Sequence, residues 1–245
     1  MPFVFHKGVT MNIAIVLAGG VGSRVGASLP KQFIKVLGKP IIIYTLEKLQ
    51  NNMLIDEIIC VCVKSHMDLA QQYCAEYGIS KVKRFVEGGD DFTHSCINGM
   101  KALAGEADPG DVVMITSADR PFVSDEEIDD SIRTTEQYGS GIAARKCALC
   151  MFEVGEDRSH SHKYLRESLV QTGTPWSFRY GLLMDALTQF EEGELPGCES
   201  YPTAIFVAAG NEAHFSRLNP ENFKITEKPD VALMEQILKE RRVYE

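Results

Sequence analysis

The stretch Leu17-Ala18-Gly19-Gly20-Val21-Gly22-Ser23-Arg24 follows the apolar run 13–16 and precedes Pro30-Lys31-Gln32. The apolar run is typical of a buried strand, and the glycines after it are typical of a turn. Glycines at 19, 20 and 22 let backbone N–H groups approach a phosphate closely, because no Cβ stands in the way. Arg24 adds a guanidinium fork and Lys31 a point charge. This arrangement predicts a place to hold a triphosphate.

Other phosphate-binding turns fit the stretch less well. A P-loop needs four residues between its glycines and then Lys-Ser/Thr, and no such string occurs. A dinucleotide-binding turn needs G-x-G-x-x-G, but Val25 occupies the position of the last glycine. The acidic residue near the required offset, Glu47, lies in a predicted helix. A glycine turn without a ligand is the remaining alternative, and Lys31 directly after Pro30 argues against it.

The bulk properties favour one large α/β domain and argue against several partners. The chain has 245 residues and a formal net charge of −9, without a Lys/Arg-rich face that would suit nucleic acid. No apolar run is long enough for a membrane span, and the N-terminus lacks the regions of a signal peptide. Residues 1–10 precede a second methionine and form a candidate leader, which leaves a single domain over 11–245.

The cysteines point to a reducing compartment. Seven of them are scattered along the chain, odd in number and mostly within apolar runs. That pattern is typical of reduced core thiols rather than a disulfide framework, so a cytoplasmic location is expected. Cys147 and Cys150 form a C-x-x-C pair without a second pair, which favours a structural role over zinc or redox chemistry.

Strand and helix patterns alternate along the chain, which predicts a three-layer α/β fold around a mostly parallel, twisted sheet. Strand patterns occur at 13–17, 57–63, 82–86, 111–116 and 204–208. Helix patterns occur at 41–49, 67–77, 93–103, 178–190 and 228–241, and Ser124 opens one more helix as an N-cap. Residues 141–165 are less regular and predict a β-rich excursion.

In an open α/β sheet, ligands lie beyond the carboxyl ends of the strands. The loops after the strands at 13–17, 82–86 and 111–116 should therefore converge. They would bring together three pairs of polar residues: Arg24 and Lys31, Asp90 and Ser95, and Asp119 and Arg120. Cations beside a lone carboxylate suit a nucleoside triphosphate with a divalent metal, which the carboxylate would hold.

Several of these segments, in order from Met11, resemble the cytidylyltransferases that join CTP to a polyol phosphate. This family includes the methylerythritol 4-phosphate and ribitol 5-phosphate enzymes, so the resemblance points to isoprenoid biosynthesis or to a surface polymer. The most specific segments are 18–24, 30–32, 88–89, 95, 98–99, 120–121, 174–175 and 223–226. The resemblance implies a Rossmann-like fold of the nucleotide-diphospho-sugar transferase type. It also implies dependence on Mg²⁺ and a homodimer formed through a protruding β-arm, here 143–165.

Carried over residue by residue, the resemblance assigns the two halves of the site. Arg24 and Lys31 would bind the triphosphate and stabilise the transition state, and Lys224 would join them in catalysis. The expected nucleotide-binding residues are Ala18, Gly19, Gly20, Gly22 and Ser23 around the phosphates, with Gly88, Asp90 and Ser95 facing cytosine and ribose. The expected acceptor-binding residues are Arg120, Arg166, Thr174 and Lys224, with Arg166 reaching across the dimer.

The sequence also departs from the family pattern. The usual His-Asp-Ala-Ala-Arg-Pro is here Thr116-Ser117-Ala118-Asp119-Arg120-Pro121, so the metal-binding Asp position holds Ser117. Asp119 is the expected replacement ligand for the metal. Phe92 stands where the family usually has an arginine after the double glycine, and Trp176 stands where it has a glutamine after Thr-Pro. Residues 200–204 replace a string that is acidic in the family. Residues 149–150 stand near the usual Asp-Thr of the arm.

These changes fall where the acceptor's hydroxyl groups should lie, while the cations for the phosphates remain. We therefore expect the reaction class to be kept and the polyol to differ. Two enzymatic alternatives are another sugar or alcohol phosphate as acceptor, or another nucleotide. A catalytically degenerate nucleotide-binding homologue and a nicotinamide-dependent dehydrogenase are further alternatives.

Overall fold

The computed structural model describes residues 10–20, 29–155 and 160–244. The eleven strands in these ranges are β1 Asn12–Ala18, β2 Lys35–Val36, β3 Lys39–Pro40, β4 Glu57–Cys62, β5 Val82–Glu87, β6 Val112–Ser117, β7 Ser140–Lys146, β8 Phe152–Val154, β9 His160–Lys163, β10 Val170–Arg179 and β11 Phe215–Arg217. The seven helices there are α1 Ile41–Asn51, α2 Met67–Glu76, α3 Phe92–Lys101, α4 Asp125–Tyr138, α5 Tyr180–Glu191, α6 Pro202–Ala208 and α7 Lys228–Tyr244. Single 3₁₀ turns occupy Lys31–Phe33, Lys64–His66 and Arg166–Ser168.

The main sheet has seven strands in the order β11-β7-β10-β6-β1-β4-β5. β1 pairs in parallel with β4 and β6, and β4 pairs in parallel with β5. β10 is antiparallel to both of its neighbours, β6 and β7, and β11 runs parallel to β7. The prediction of a mostly parallel α/β sheet is therefore confirmed.

Both faces of the central strand β1 are buried, which explains its continuous apolar sequence. Because side chains alternate along a strand, Ala14 and Val16 enter one core cluster with α1 and α2. Ile13, Ile15 and Leu17 enter a second cluster on the other face, with α3 and α5. Helices thus cover both faces of the sheet, as the three-layer prediction requires.

Helix α4 begins and ends with strong local signals. Ser124 is its N-cap, and the Glu127 side chain accepts a hydrogen bond from the Ser124 backbone N–H, which completes a capping box. The helix ends at Tyr138 and is capped by Gly139, whose φ of 92° favours glycine. The N-cap predicted at Ser124 is confirmed.

Two sequence predictions are wrong at the level of single elements. Residues 204–208 are not a strand but most of α6, whose buried Pro202, Ile205 and Phe206 follow helical spacing. Packing against α5 decides the conformation of this short apolar run. The helix predicted at 178 begins at Tyr180, because the residues before it form β10, which the sequence pattern did not indicate.

The predicted arm at 143–165 has two parts. Its first residues belong to β7, and Arg145 and Lys146 at the end of β7 pair with the start of β10. Farther along, β8 and β9 form a separate two-stranded antiparallel sheet. Phe152 and Val154 on β8 are exposed. Within the described ranges, none of the helices combines the length and apolar content that crossing a lipid bilayer requires.

Candidate active site

A cavity of about 350 Å³ opens at the carboxyl ends of β1 and β6 and at the N-terminus of α3. Its lining comes from five segments, as expected where loops converge at the carboxyl edge of a parallel sheet. The residues that line it are Leu17, Ala18, Gly19, Gly20, Lys31, Gln32, Gly89, Asp90, Asp91, Phe92, Ser95, Ser117, Ala118, Asp119, Lys224 and Thr226.

The wall near α3 depends on close backbone contacts. The Gly89 N–H donates to Ser95 Oγ at 3.1 Å. A Cβ on Gly19 or on Gly88 would lie 3.3 or 3.2 Å from the same Ser95 oxygen. A Cβ on Gly89 would lie 2.4 Å from His94 Cβ, so this position requires glycine. Ser95 therefore joins the glycine turn after β1 to the loop after β5.

A buried ion pair crosses the floor of the cavity. Lys31 Nζ lies 2.6 Å from Asp119 Oδ2, with the two side chains only 10% and 7% exposed. The same ammonium donates to the Ile225 carbonyl at 2.7 Å, and the Ile225 N–H donates to the Asp119 carbonyl at 2.9 Å. These contacts fix the lysine that follows Pro30 against two distant segments.

Asp119 also has an oxygen that is available for a ligand. Its Oδ1 is buried and has no hydrogen-bond partner among the described residues. β6 ends at Ser117, so Asp119 lies in the turn after the strand rather than at its end. The described residues contain no group of three or more His, Cys, Asp or Glu side chains that could hold a metal. A single carboxylate beside substrate phosphates is, however, the donor set that Mg²⁺ commonly uses, so the residues present fit this ion.

Lys224 is brought to the cavity by the segment between Asn222 and α7. Its Nζ lies 5.9 Å from the centre of the Phe92 ring, within the range of a cation–π contact. Phe92 in turn stacks on Tyr201, with ring centres 5.4 Å apart, and meets Trp176 edge-on at 5.8 Å. Three positions at which the sequence departs from the family pattern therefore form one aromatic cluster beside Lys224.

Arg120 and Thr174 are not among the residues that line the cavity. Arg120 Nη1 donates to the Asn222 carbonyl at 2.6 Å, and Asn222 Nδ2 donates to the Thr174 carbonyl at 3.0 Å. Burial lowers the pKa of Arg120 from its usual value, and the carboxylates of Asp119 and Glu127 oppose this shift. The two expected acceptor-side residues thus meet at Asn222.

The remaining expected residues fall into three groups. Gly22, Ser23 and Arg24 fall outside the described residues. Arg166 lies on the exposed 3₁₀ turn before β10, where it is 3.7 Å from Glu167, and it does not line the cavity. Gly88 supports the cavity through Ser95 without lining it.

Some lining residues were given no role from the sequence. Gln32 is buried and its Nε2 donates to the Ala18 carbonyl at 2.5 Å, which ties the residue after Lys31 to the end of β1. Asp91 accepts from the His94 backbone N–H at 2.7 Å as the N-cap of α3. An Asp just before the start of a helix pattern is a capping signal that could have identified this residue from the sequence.

The fold and the charged cavity at the carboxyl edge of its sheet place this chain among the α/β nucleotidyltransferases, as comparisons with known proteins show. The family model described as 2-C-methyl-D-erythritol 4-phosphate cytidylyltransferase matches residues 12–240. The chain belongs to this family, which confirms the resemblance drawn from the motifs.

Curated relatives and solved structures agree with this assignment. A ribitol-5-phosphate cytidylyltransferase from Lacticaseibacillus paracasei is 33% identical over 235 residues, which cover 95% of this chain and 100% of that protein. A 2-C-methyl-D-erythritol 4-phosphate cytidylyltransferase from Clostridium acetobutylicum is 34% identical with the same coverage. The structure of 4-diphosphocytidyl-2C-methyl-D-erythritol synthase from Anaerococcus prevotii matches with a TM-score of 0.79 at 22% identity, covering 94% of this chain and 96% of that one. At that identity, the structural match establishes the fold.

Proposed function

We propose that this protein transfers CMP from CTP to a small polyol phosphate and releases pyrophosphate. One observation carries the proposal: Lys31, Asp119 and Lys224, from three distant segments, line a single cavity beside the glycine turn after β1. The names of the relatives supply the nucleotide and the acceptor class, since both the ribitol and the methylerythritol enzymes are cytidylyltransferases.

The reaction needs positioning and charge stabilisation more than a strong base. A phosphate oxygen of the acceptor attacks the α-phosphorus of CTP, and a new P–O bond forms. The bond between the α-phosphorus and the oxygen that bridges it to the β-phosphate breaks, and pyrophosphate leaves with the electron pair of that bond. A phosphate monoester is already anionic near neutral pH, so no side chain must remove a proton first. Lys31 and Lys224 stabilise the charge that develops on the phosphoryl oxygens, and Arg24 is expected to join them.

Mg²⁺ is proposed as the cofactor, with Asp119 as its protein ligand. A bound magnesium ion neutralises phosphate charge and orients the triphosphate. The unpartnered, buried Oδ1 of Asp119 supports this assignment. Lys31 Nζ, 2.6 Å from the other oxygen, fixes the carboxylate beside the cavity that both residues line.

The nucleotide and the acceptor are assigned to opposite sides of the cavity. Asp90 and Ser95, at the start of α3, face the base and ribose, which their place in the lining supports. Lys224 holds the acceptor's phosphate, and the Phe92 ring forms the wall beside it. An aromatic wall offers no acceptor for hydroxyl protons, which supports a polyol different from the one that names the family.

A cytoplasmic homodimer is the proposed state of the enzyme. Leu149 and Leu165, at the two ends of the β8–β9 segment, are 73% and 74% exposed, and Phe152 lies exposed between them. Such a run of exposed apolar side chains suits burial against a second copy of the chain. Arg166, next to Leu165, would then reach the partner's cavity. The seven cysteines, all free thiols, support a reducing compartment.

The test is pyrophosphate release measured with each nucleoside triphosphate against a panel of polyol phosphates. We expect release with CTP and with no other nucleoside triphosphate, and only when at least one acceptor of the panel is present. The panel includes ribitol 5-phosphate and 2-C-methyl-D-erythritol 4-phosphate. Tight CTP binding without release for any acceptor would instead identify a degenerate nucleotide-binding homologue. Thermal stabilisation by NADH and not by CTP would indicate a dehydrogenase.

A further inference from the structure

A fully buried carboxylate lies outside the cavity lining and yet contacts the segment that supplies Lys224. Glu127 on α4 has no exposed surface. Its Oε2 accepts hydrogen bonds from the Ser124 N–H at 2.9 Å and the Ser124 hydroxyl at 3.0 Å. Its Oε1 accepts from the Asn219 N–H at 2.9 Å and from Asn222 Nδ2 at 3.0 Å. A capping box needs only the bond from the Ser124 N–H, together with the bond from the Glu127 N–H to Ser124 Oγ at 3.3 Å, because it serves the helix end. The contacts of Oε1 with Asn219 and Asn222 go beyond it.

The second pair connects Glu127 to every acceptor-side group described in this chain except the exposed Arg166. Asn222, which Glu127 holds, also binds the Thr174 carbonyl through Nδ2 and receives Arg120 Nη1 on its own carbonyl. Lys224 follows two residues later. The segment is then fixed at its far end, where Ile225 bonds to Lys31 and to Asp119.

We infer that Glu127 is a positioning residue for acceptor binding, which rests on the proposed function: it sets the placement of Lys224, Arg120 and Thr174 through Asn222. The negative charge matters as well as the shape. Fully buried glutamates are rare unless they are paired or fully hydrogen-bonded, and all four donors here point at the carboxylate. Its charge also opposes the lowering of the pKa of Arg120 that burial causes.

The Glu127→Gln variant tests this role because it keeps the size of the side chain. The amide nitrogen must face either the Ser124 donors or the Asn219 and Asn222 donors, so at least one hydrogen bond from a backbone N–H is lost. In either orientation, the hydrogen bonds that remain lose the assistance of the negative charge. A displacement of about 1 Å in a positioning segment can cost on the order of 100-fold in rate. We expect the KM for the polyol phosphate to rise about tenfold or more, while the KM for CTP changes less than about twofold.

Ser131→Ala is the matched control. Ser131 is also fully buried on α4, and its hydroxyl donates to the Gly141 carbonyl and bonds Ser177 Oγ, both at 2.7 Å. Its loss should lower the thermal midpoint while leaving both KM values within about twofold. Asn222→Ala should reproduce the effect of Glu127→Gln on the acceptor KM. If both residues act through the same contacts, the acceptor KM of the double variant should be no higher than that of the more impaired single variant.

A second readout does not depend on turnover. Calorimetric binding of inorganic phosphate should weaken about tenfold in Glu127→Gln and stay unchanged in Ser131→Ala, with Lys224→Met identifying the site by loss of the same binding. The inference is overturned if Glu127→Gln and Ser131→Ala behave alike, if both KM values rise equally, or if the unmodified protein binds no phosphate. Absence of pyrophosphate release by the unmodified protein would refute the proposed function alone, because the phosphate comparison still tests Glu127.

Discussion

The ion pair between Lys31 and Asp119 offers the sharpest test of how the cavity is built. Removing one partner of a buried ion pair typically costs about 3–5 kcal/mol, because the other charge is left uncompensated. Lys31→Met leaves an Asp119 carboxylate with no hydrogen bond from the described residues on either side-chain oxygen, so we expect a cost near the upper end, about 5 kcal/mol. Asp119→Asn leaves the lysine its bond to the Ile225 carbonyl at 2.7 Å, so about 3 kcal/mol is expected.

The assay is urea unfolding at pH 7.5, with a constant m-value as the criterion that only stability has changed. For a chain of this size, about 1 kcal/mol corresponds to about 2–4 °C in the thermal midpoint, so Asp119→Asn should lower it by about 6–12 °C. The double variant Lys31→Met with Asp119→Asn removes both charges and should cost less than the sum of the single variants, by about 3 kcal/mol. Additive losses, or single losses below about 1 kcal/mol, would refute the reasoning.

The same Asp119 variants test the metal assignment. CTP with Mg²⁺ should raise the thermal midpoint of the unmodified protein, and Asp119→Asn should remove the part of that rise that depends on magnesium. Asp119→Ala should lose magnesium-dependent turnover. Full magnesium-dependent turnover by Asp119→Ala would exclude this residue as the ligand.

Three further predictions concern other parts of the site and core. Phe92→Leu removes a cation–π contact worth about 1 kcal/mol. Steady-state kinetics should therefore show the acceptor KM rising about fivefold while the CTP KM is unchanged. Equal changes in the two KM values would show that Phe92 does not act on the acceptor side alone. Gly89→Ala puts a Cβ 2.4 Å from His94 Cβ and should destabilise the protein by about 2 kcal/mol in urea unfolding; a neutral effect would show that this loop shifts freely. Burial raises the pKa of Cys96 to about 12, whereas Cys150 is exposed. After treatment with maleimide at pH 8, mass spectrometry should therefore find Cys150 modified and Cys96 unmodified. Labelling of Cys96 would show that α3 opens.

The aromatic cluster gives the departures from the family pattern a shared location. Phe92, Trp176 and Tyr201 come from α3, β10 and the residue before α6, and their rings contact one another. Trp176 is buried and its indole N–H has no partner among the described residues, so the cluster is packed mainly by apolar contact. Taken one at a time along the sequence, these substitutions are unrelated, and only the fold makes them neighbours.

The sequence by itself determined the central strands, the glycine turn, the capped helix α4 and the convergence of three loops. These follow from local rules, since apolar periodicity marks strands and helices, and parallel strands end at a common edge. It did not indicate β10, because Gly173 and Thr174-Pro175 interrupt its pattern and its antiparallel place between β6 and β7 depends on long-range pairing. The sequence pattern predicted a strand where α6 lies, because the apolar run 205–207 has high strand propensity. Packing against α5 overrides that propensity.

Only the tertiary structure decided which charges meet. The converging loops predicted that Lys31 and Asp119 would lie near one another, but not that they form a buried ion pair or that Lys31 also bonds to the Ile225 carbonyl. Glu127 appeared in the sequence as one of three acidic residues in a first helical turn, yet it alone turns inward to hold Asn219 and Asn222. The reason is physical: a residue's conformation is set largely by its neighbours along the chain, whereas the partner of a buried charge is set by whichever segment the fold brings within 3 Å.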